Sequence, residues 1–289
     1  MGHSSYSSAE RGIRSENLGY ATKSTYEIFK QRSINNAMNP HGIVLRESRD
    51  SFEHPNVVSI IMNLDVTGSM GTVPHYLVKE GLPHMMQTLI DSGIADPQVL
   101  FTGIGDHECD DSPLQVGQFE SGDELLDKWL TDVYLEGGGG ANEGESYLLA
   151  WYFAGYHTAI DSFDKRGKKG FLFTIGDEPT LKRLSKGQVG NIMGPGQYAD
   201  FTAAELLDKA SERYHCYHLH IKQTSAGGRQ ATMDNWKQMM GDHLIIVDRK
   251  EDVASIIAEI VIKHTITPAS NVQADVPTTV IENKPIILL

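Results

Sequence analysis

The chain has 289 residues and the composition of a globular protein, with 40% hydrophobic and 22% charged residues. Its formal net charge of −13 argues against a nucleic-acid binder and against docking on anionic membranes, because both need a basic surface. Two cysteines cannot build a disulfide framework, no stretch approaches about 18 apolar residues, and no signal-peptide segment begins the chain, so we expect a cytoplasmic protein without membrane spans.

The first 55 residues are polar and weakly periodic, with many Ser, Asn and Arg. They predict an N-terminal arm (1–55), extended or flexible, with one short helix near 22–33. Residues 266–289 contain prolines and predict a C-terminal tail that ends in the apolar run 285–289. The pattern of a folded domain lies between the two, over residues 56–265.

Near-continuous apolar runs alternate with helical periodicities through this domain. Such runs are typical of strands covered on both faces, and the alternation predicts an α/β fold with a doubly wound, mostly parallel sheet of about six strands. The predicted strands are 57–64, 97–104, 114–119, 170–175, 215–221 and 243–247. The predicted helices are 72–92, 122–133, 144–158, 202–213, 231–240 and 250–265. We further predict a kink at Pro83 and a long loop within 186–198.

Clusters of oxygen donors occur at three turns of this pattern. They are Asp65, Thr67 and Ser69 after the first buried strand, Asn142 and Glu143 at a helix start, and Asp177 after the strand 170–175. Ligands of doubly wound sheets bind at the carboxyl ends of the strands, so we expect these side chains to meet at one edge. Carboxylate, hydroxyl and amide oxygens suit Mg²⁺, with Mn²⁺ or Ca²⁺ as alternatives.

The run Asp65-Val-Thr67-Gly-Ser69 after a buried strand resembles the metal-ion-dependent adhesion site of von Willebrand factor A domains. Thr174-Ile-Gly-Asp177 is similar to the third loop of that family, and Glu143 before Gly144 resembles the second loop of its integrin-β-like variant. Gly105-Asp106-His107 and the polyglycine loop are similar to intracellular bacterial and phage A domains. The resemblance covers about residues 55–265.

The resemblance implies a Rossmann-like fold and a protein that binds rather than catalyses. A carboxylate from a partner protein would complete the coordination shell of its Mg²⁺. MoxR-type AAA+ ATPases are one class of partner that the resemblance implies. The residues that would hold the ion are Asp65, Thr67, Ser69, Glu143 and Asp177, with Asn142 and Asp106 as further candidates.

Other interpretations stay open. A metal-dependent phosphohydrolase would use Asp65 as nucleophile, although Thr67 stands where phosphatases of that kind carry a second aspartate. A structural or assembly component, for example of a phage particle, would act through the arm 1–55 and the tail 266–289. In a strand, Cys216, His218 and His220 share one face, which allows either zinc binding with a further donor or packing beneath a helix.

Overall fold

The computed structural model describes residues 5–136 and 144–266 of the chain. Within these ranges the strands are β1 (Arg46–Ser48), β2 (Val58–Asp65), β3 (Pro97–Ile104), β4 (Leu114–Val116), β5 (Thr158–Ile160), β6 (Gly170–Gly176), β7 (Arg183–Leu184), β8 (Phe201–Thr202), β9 (Tyr214–Ile221) and β10 (Leu244–Val247). The helices are α1 (Ser8–Leu18), α2 (Thr25–Ile28), α3 (Val73–Tyr76), α4 (Leu82–Asp91), α5 (Asp123–Thr131), α6 (Tyr147–Tyr156), α7 (Asp161–Asp164), α8 (Lys186–Met193), α9 (Ala203–Ser211), α10 (Gln230–Met240) and α11 (Val253–Ile266). Over the same ranges, none of these helices combines the length and the apolar character that crossing a membrane requires.

A six-stranded sheet lies at the centre of the described residues, in the order β10-β9-β6-β2-β3-β4. Neighbouring strands pair in parallel except at one edge, where β4 runs antiparallel to β3. If the six strands of this sheet are numbered by their order in the chain and read from β4 to β10, their order is 3-2-1-4-5-6, which is that of a Rossmann-like doubly wound sheet. The predicted fold class is therefore confirmed. The winding direction reverses between β2 and β6, which makes their carboxyl ends the expected binding crevice.

The sheet separates two hydrophobic cores, because successive side chains of a strand point to opposite faces. Along β2, Ile60, Met62 and Leu64 pack into one core together with α4 and α11. Ile61 points to the other face and packs with α6, α9 and Trp236 of α10. Burial on both faces explains why the central strands have near-continuous apolar sequences.

The helix predicted over 72–92, with a kink or break at Pro83, is interrupted in the structure, but before the proline. A π-helical turn over Leu77–Gly81 separates α3 from α4. Pro83 lies in the first turn of α4, the part of a helix where a missing backbone N–H is tolerated. The irregular turn therefore precedes the proline rather than following it.

The predicted loop over 186–198 is wrong in its first half, which forms α8. A capping box begins this helix: the backbone N–H of Gln188 donates to Ser185 Oγ, and Gln188 Oε1 accepts from the backbone N–H of Ser185 at 2.8 Å. This pairing satisfies two backbone N–H groups that would otherwise lack partners, which offsets the cost of the helical glycines.

Residues 5–55 pack against the domain, in contrast to the expected extended arm. Their apolar residues Phe29 and Met38 are fully buried, and the helix expected near 22–33 is only the four-residue α2. Arg11 of α1 is 2% exposed and forms an ion pair with Asp127 of α5. Phe29, Met38 and Arg11 hold the segment on the surface of the domain. They are few and widely spaced, so they give its sequence no periodic apolar pattern. The tail predicted over 266–289 lies outside the described residues from 267 onward.

Candidate metal site

Two acidic residues lie at the crevice between β2 and β6. Asp65 is the last residue of β2, and Asp177 immediately follows β6. Both carboxylates are completely buried. They are brought together because neighbouring parallel strands end at the same edge of the sheet, where the winding reverses.

The turn after β2 folds back onto Asp65. Asp65 Oδ1 accepts hydrogen bonds from the backbone N–H of Thr67 at 2.9 Å and from its hydroxyl at 2.5 Å. A short 3₁₀ helix over Gly68–Met70 then places Ser69 beside Thr67, with their hydroxyl oxygens 3.4 Å apart. Alternate residues of this turn therefore direct their oxygen atoms to one side.

Ser69 connects this turn to the one after β6. Its hydroxyl donates to Asp177 Oδ1 at 2.8 Å. Since the Thr67 hydroxyl donates to Asp65 in the same way, both hydroxyl protons are directed toward carboxylates. The lone pairs of both hydroxyl oxygens remain available to a cation.

Tyr147, the first residue of α6, holds Asp65 from the opposite side. Its hydroxyl donates to Asp65 Oδ2 at 2.6 Å, and its side chain is fully buried. Gly176 permits this contact, because a Cβ atom at that position would overlap the Tyr147 hydroxyl. Both oxygens of Asp65 are thus fixed by hydrogen bonds.

Two further acidic side chains, Glu145 and Asp106, are linked to this group, because the charges of Asp65 and Asp106 both act on Glu145. They are 5% and 0% exposed. Asp106 Oδ1 accepts from the backbone N–H of Glu108 at 2.8 Å. Among the described residues, Asp106 Oδ2, Glu145 Oε2 and Asp177 Oδ2 have no hydrogen-bond donor. Buried carboxylate oxygens without donors are costly, and a bound cation is one way to compensate them.

Burial and mutual repulsion disfavour the ionised forms of these carboxyl groups. Burial, reinforced by the negative charge of Asp177, raises the pKa of Asp65 to about 7. Burial, together with Asp65, Asp110 and Asp106, raises the pKa of Glu145 to about 10. A divalent cation would reverse this balance, because it attracts the charged form of each carboxylate.

The donor chemistry fits Mg²⁺. All the converging atoms are hard oxygens, and bonds of 2.0–2.1 Å in an octahedron place neighbouring ligands about 2.9 Å apart. The 3.4 Å between the hydroxyl oxygens of Thr67 and Ser69 is close to this separation. Within 5–136 and 144–266, no three histidine, cysteine or acidic side chains are arranged to hold one ion. The fit therefore depends on the two hydroxyl groups as well as on the carboxylates.

The structure brings together four of the predicted site residues: Asp65, Thr67, Ser69 and Asp177. Asp106 lies in the adjacent turn after β3, where its carboxylate accepts from the backbone N–H of Glu108 and its own backbone N–H donates to Asp110 Oδ2. The predicted residues Asn142 and Glu143 lie outside the described residues.

Sequence reasoning missed Glu145 and Tyr147. Glu145 pairs with Thr180 in an isolated β-bridge, which fixes the backbone just before α6 and beside the turn after β6. The position of a glutamate immediately before a helix start was the available signal for it. Tyr147 carried no such signal, because its role depends on the absence of a side chain at Gly176, distant in the chain.

The histidines of β9 are used in packing and in hydrogen bonds. His218 stacks on Trp236 at a centroid distance of 3.6 Å, and its Nδ1 lies 2.9 Å from Thr174 Oγ1. His220 Nε2 lies 2.8 Å from the carbonyl oxygen of Gly227. This arrangement corresponds to packing beneath α10, one of the two interpretations that the sequence left open.

No protein-family model and no curated protein matches the chain. Similar solved structures include the pilus adhesin SpaC from Lactobacillus rhamnosus GG in its open conformation, with 11% identity and a TM-score of 0.48 over 75% of this chain and 31% of the adhesin. Proximal thread matrix protein 1 from the mussel byssus has 11% identity and a TM-score of 0.45 over 71% of this chain and 47% of that protein. The chain thus spans about a third of the adhesin and about half of the mussel protein.

Proposed function

We propose that the chain is a Mg²⁺-dependent protein-interaction module of the von Willebrand factor A type, with its metal-ion-dependent adhesion site at the carboxyl ends of β2 and β6. The observation that carries this proposal is the pair of hydroxyl groups, Thr67 and Ser69, that donate to Asp65 and Asp177 and leave their lone pairs available. The buried Asp177 Oδ2, which lacks a donor among the described residues, supports the same proposal.

In this proposal the protein supplies an incomplete set of oxygen ligands. Thr67 and Ser69 would bind the ion through their hydroxyl oxygens, and Asp65, Asp177 and Glu145 would balance its charge. Glu143 remains a further proposed ligand from the glycine-rich loop. When bound, the ion supplies a concentrated positive charge that attracts an oxygen ligand from outside the chain.

The proposed partner is a protein that presents a carboxylate on a protruding loop. The chain itself has a net charge of −13, so long-range forces repel an acidic partner and the ion must provide the local attraction. MoxR-type AAA+ ATPases are the partner class that the resemblance implies. We propose a cytoplasmic location, which agrees with the two cysteines, Cys109 and Cys216, not being bonded to each other.

The hydrogen bonds and the burial of Asp65 favour a binding role over hydrolysis. Its Oδ1 accepts two hydrogen bonds from Thr67, and its Oδ2 accepts one from Tyr147. A nucleophilic carboxylate needs a lone pair that the substrate can reach, and hydrogen bonds to both oxygens restrict that approach. The side chain is also completely buried. We therefore propose a protein without enzymatic activity at this site.

Titration with Mn²⁺, followed by water-proton relaxation, tests the proposal. We expect one site whose bound Mn²⁺ keeps exchangeable water, because the protein ligands leave positions open. Adding a short peptide with a central glutamate should lower the relaxation enhancement by displacing water, whereas the same peptide with glutamine should not.

The matched variants are Asp65→Ala in the site and Asp208→Ala on the exposed face of α9. Asp65→Ala should abolish the Mn²⁺ signal while the far-ultraviolet circular dichroism spectrum persists, and Asp208→Ala should behave like the wild type. Equal Mn²⁺ binding by both variants would overturn the proposal.

A further inference from the structure

A large cleft lies at the end of the sheet opposite the candidate metal site. Its volume is about 980 Å³, and it opens beside the amino ends of β2, β6 and β9. Clefts of this size accommodate small organic ligands when their walls combine apolar rings with a few polar groups. The residues that line this cleft are separate from those of the candidate metal site.

One wall of the cleft consists of three rings. The rings of Phe171, His215 and His264 contact one another: His215 is tilted by 33° against Phe171 at a centroid distance of 5.4 Å and by 34° against His264 at 4.4 Å, and Phe171 meets His264 edge-on at 6.0 Å. Among the described residues, neither ring nitrogen of His215 has a hydrogen-bond partner. Burial and the neighbouring His264 and Lys169 lower the pKa of His215 to about 4, so its ring is neutral at pH 7 and offers one donor and one acceptor.

A basic segment also lines the cleft, in a chain that is acidic as a whole. Four cations lie within residues 165–169, between α7 and β6. Lys165 is paired with Asp161 at 2.6 Å, and Arg166 with Asp50. Lys168 and Lys169 both line the cleft; in the described part of the chain, the Lys168 ammonium has no partner.

The acidic residue Asp96 also lines the cleft, but its carboxylate is already engaged. Asp96 Oδ1 lies 3.0 Å from His54 Nδ1, and Asp96 Oδ2 accepts from the backbone N–H of Asn56. The Lys169 ammonium donates to the carbonyl oxygen of Ser211 at 2.6 Å, which orients it without neutralising it. Asp96 therefore does not neutralise the ammonium groups of Lys168 and Lys169, and the carboxylate of Glu53, which also lines the cleft, offsets only part of the positive charge of the lining.

A buried hydroxyl in the lining provides an independent sign of a ligand. Ser162 is 4% exposed, and its Oγ has no hydrogen-bond partner among the described residues. A buried hydroxyl that stays unsatisfied costs free energy, which a ligand atom in the cleft would recover.

We propose that this cleft binds a small molecule that carries both a planar aromatic ring and an anionic group. The ring stacks against His215 and its neighbours, and the anionic group is held by Lys168 and Lys169. Ser162 Oγ and the His215 nitrogens hydrogen-bond to polar atoms of the ligand. Two sources supply this chemistry, nucleoside monophosphates and aromatic carboxylates, and the experiment separates them.

Nuclear magnetic resonance titration of the full chain in EDTA tests this proposal independently of any metal site. The complete probes, which carry both a ring and a negative charge, are adenosine monophosphate and indole-3-acetate. The incomplete probes are adenosine, which lacks the charge, and inorganic phosphate, which lacks the ring. We expect at least one of the two complete probes to shift the amide signals of residues 162–171 and 215. The complete probe that binds more tightly shows whether the ligand is a nucleoside monophosphate or an aromatic carboxylate. Each incomplete probe should bind about tenfold more weakly.

Two variants locate the site. Lys168→Gln should weaken binding of the complete probe about tenfold, and Ser162→Ala about threefold to tenfold, while the exposed control Lys182→Gln leaves it unchanged. The proposal is overturned if no probe shifts these amides, if inorganic phosphate binds as well as the complete probes, or if Lys168→Gln and Ser162→Ala both bind like the wild type.

Discussion

Ser69 Oγ donates a hydrogen bond of 2.8 Å to Asp177 Oδ1, joining two turns that are 108 residues apart in the chain. This contact closes the crevice where the winding of the sheet reverses. It also turns the Ser69 proton away from the space beside Thr67, 3.4 Å distant, so the two hydroxyl oxygens present lone pairs together. The proposed metal site depends on this arrangement.

Replacing Asp65 by asparagine is expected to separate the proposed metal binding from folding. Burial and Asp177 raise the pKa of Asp65 to about 7, so without a cation the negative charge is unfavourable in the native state. Asp65→Asn should therefore not lower the melting temperature in EDTA, whereas the increase caused by Mg²⁺ in the wild type should be lost. Differential scanning calorimetry measures both quantities. A variant that still responds to Mg²⁺ like the control Asp208→Asn would contradict this.

Replacing Glu145 by glutamine tests a residue that the sequence did not indicate. Burial and the nearby acidic groups raise the pKa of Glu145 to about 10, so glutamine resembles the form present without metal. Glu145→Gln should leave stability in EDTA nearly unchanged and weaken Mg²⁺ binding about tenfold, the effect typical of groups that support metal ligands. Calorimetric titration measures the affinity, with the exposed Glu16→Gln as control. An unchanged affinity would remove Glu145 from the site.

The ion pair between Arg11 and Asp127 is expected to tie the N-terminal segment to the stability of the domain. Arg11 also donates to the carbonyl oxygen of Val78 at 2.5 Å, and the Tyr20 hydroxyl donates to Asp127 Oδ2 at 2.7 Å. Arg11→Met leaves Asp127 buried without its cation and should cost about 3–5 kcal/mol of unfolding free energy. Urea denaturation measures this loss, and the exposed Arg32→Met should cost little. Equal stability of the two variants would show that the segment is not coupled to the domain.

Acidification is expected to reduce stability through His218. Burial lowers the pKa of His218 well below its usual value, so it is neutral in the native state, while in the unfolded chain it takes up a proton near pH 6.5. The unfolding free energy is therefore not reduced by His218 above about pH 6.5. As the pH falls below this value, protonation of His218 in the unfolded chain lowers the unfolding free energy by at most about 1.4 kcal/mol per pH unit. Asp65 and Glu145, whose pKa values are raised, act in the opposite direction.

The test of this pH effect is therefore a comparison of variants. His218→Phe preserves a ring against Trp236 and removes the titrating group, so its unfolding free energy between pH 7 and pH 5 should fall less steeply than that of the wild type. The exposed His84→Gln serves as control. Parallel pH profiles for His218→Phe and the wild type would contradict the assignment.

Much of the fold follows from local sequence pattern. The apolar runs that form β2, β3 and β6 are buried on both faces, and this leaves a signal in every residue of the strand. The helix α8 was missed because its glycines outweighed the capping box between Ser185 and Gln188. The packing of residues 5–55 was missed because it depends on isolated anchors such as Arg11 and Met38, which form no periodic pattern.

The candidate site was predictable only in part, for a related reason. Asp65, Thr67 and Ser69 lie within five residues, so their spacing alone indicates that their oxygens can share a point. Asp177 required the additional inference that β2 and β6 are neighbours. The contact of Tyr147 with Asp65 requires the end of β2, the start of α6 and Gly176 of β6 to lie side by side. No local sequence pattern predicts that these three segments are neighbours.

Crystallography with Mn²⁺ at an energy that gives anomalous scattering from manganese tests the central claim most directly. We expect one strong anomalous peak at the carboxyl ends of β2 and β6, from a manganese ion bonded to the hydroxyl oxygens of Thr67 and Ser69. A saturated crystal with no peak between these side chains, or with its only peak elsewhere on the chain, would contradict it.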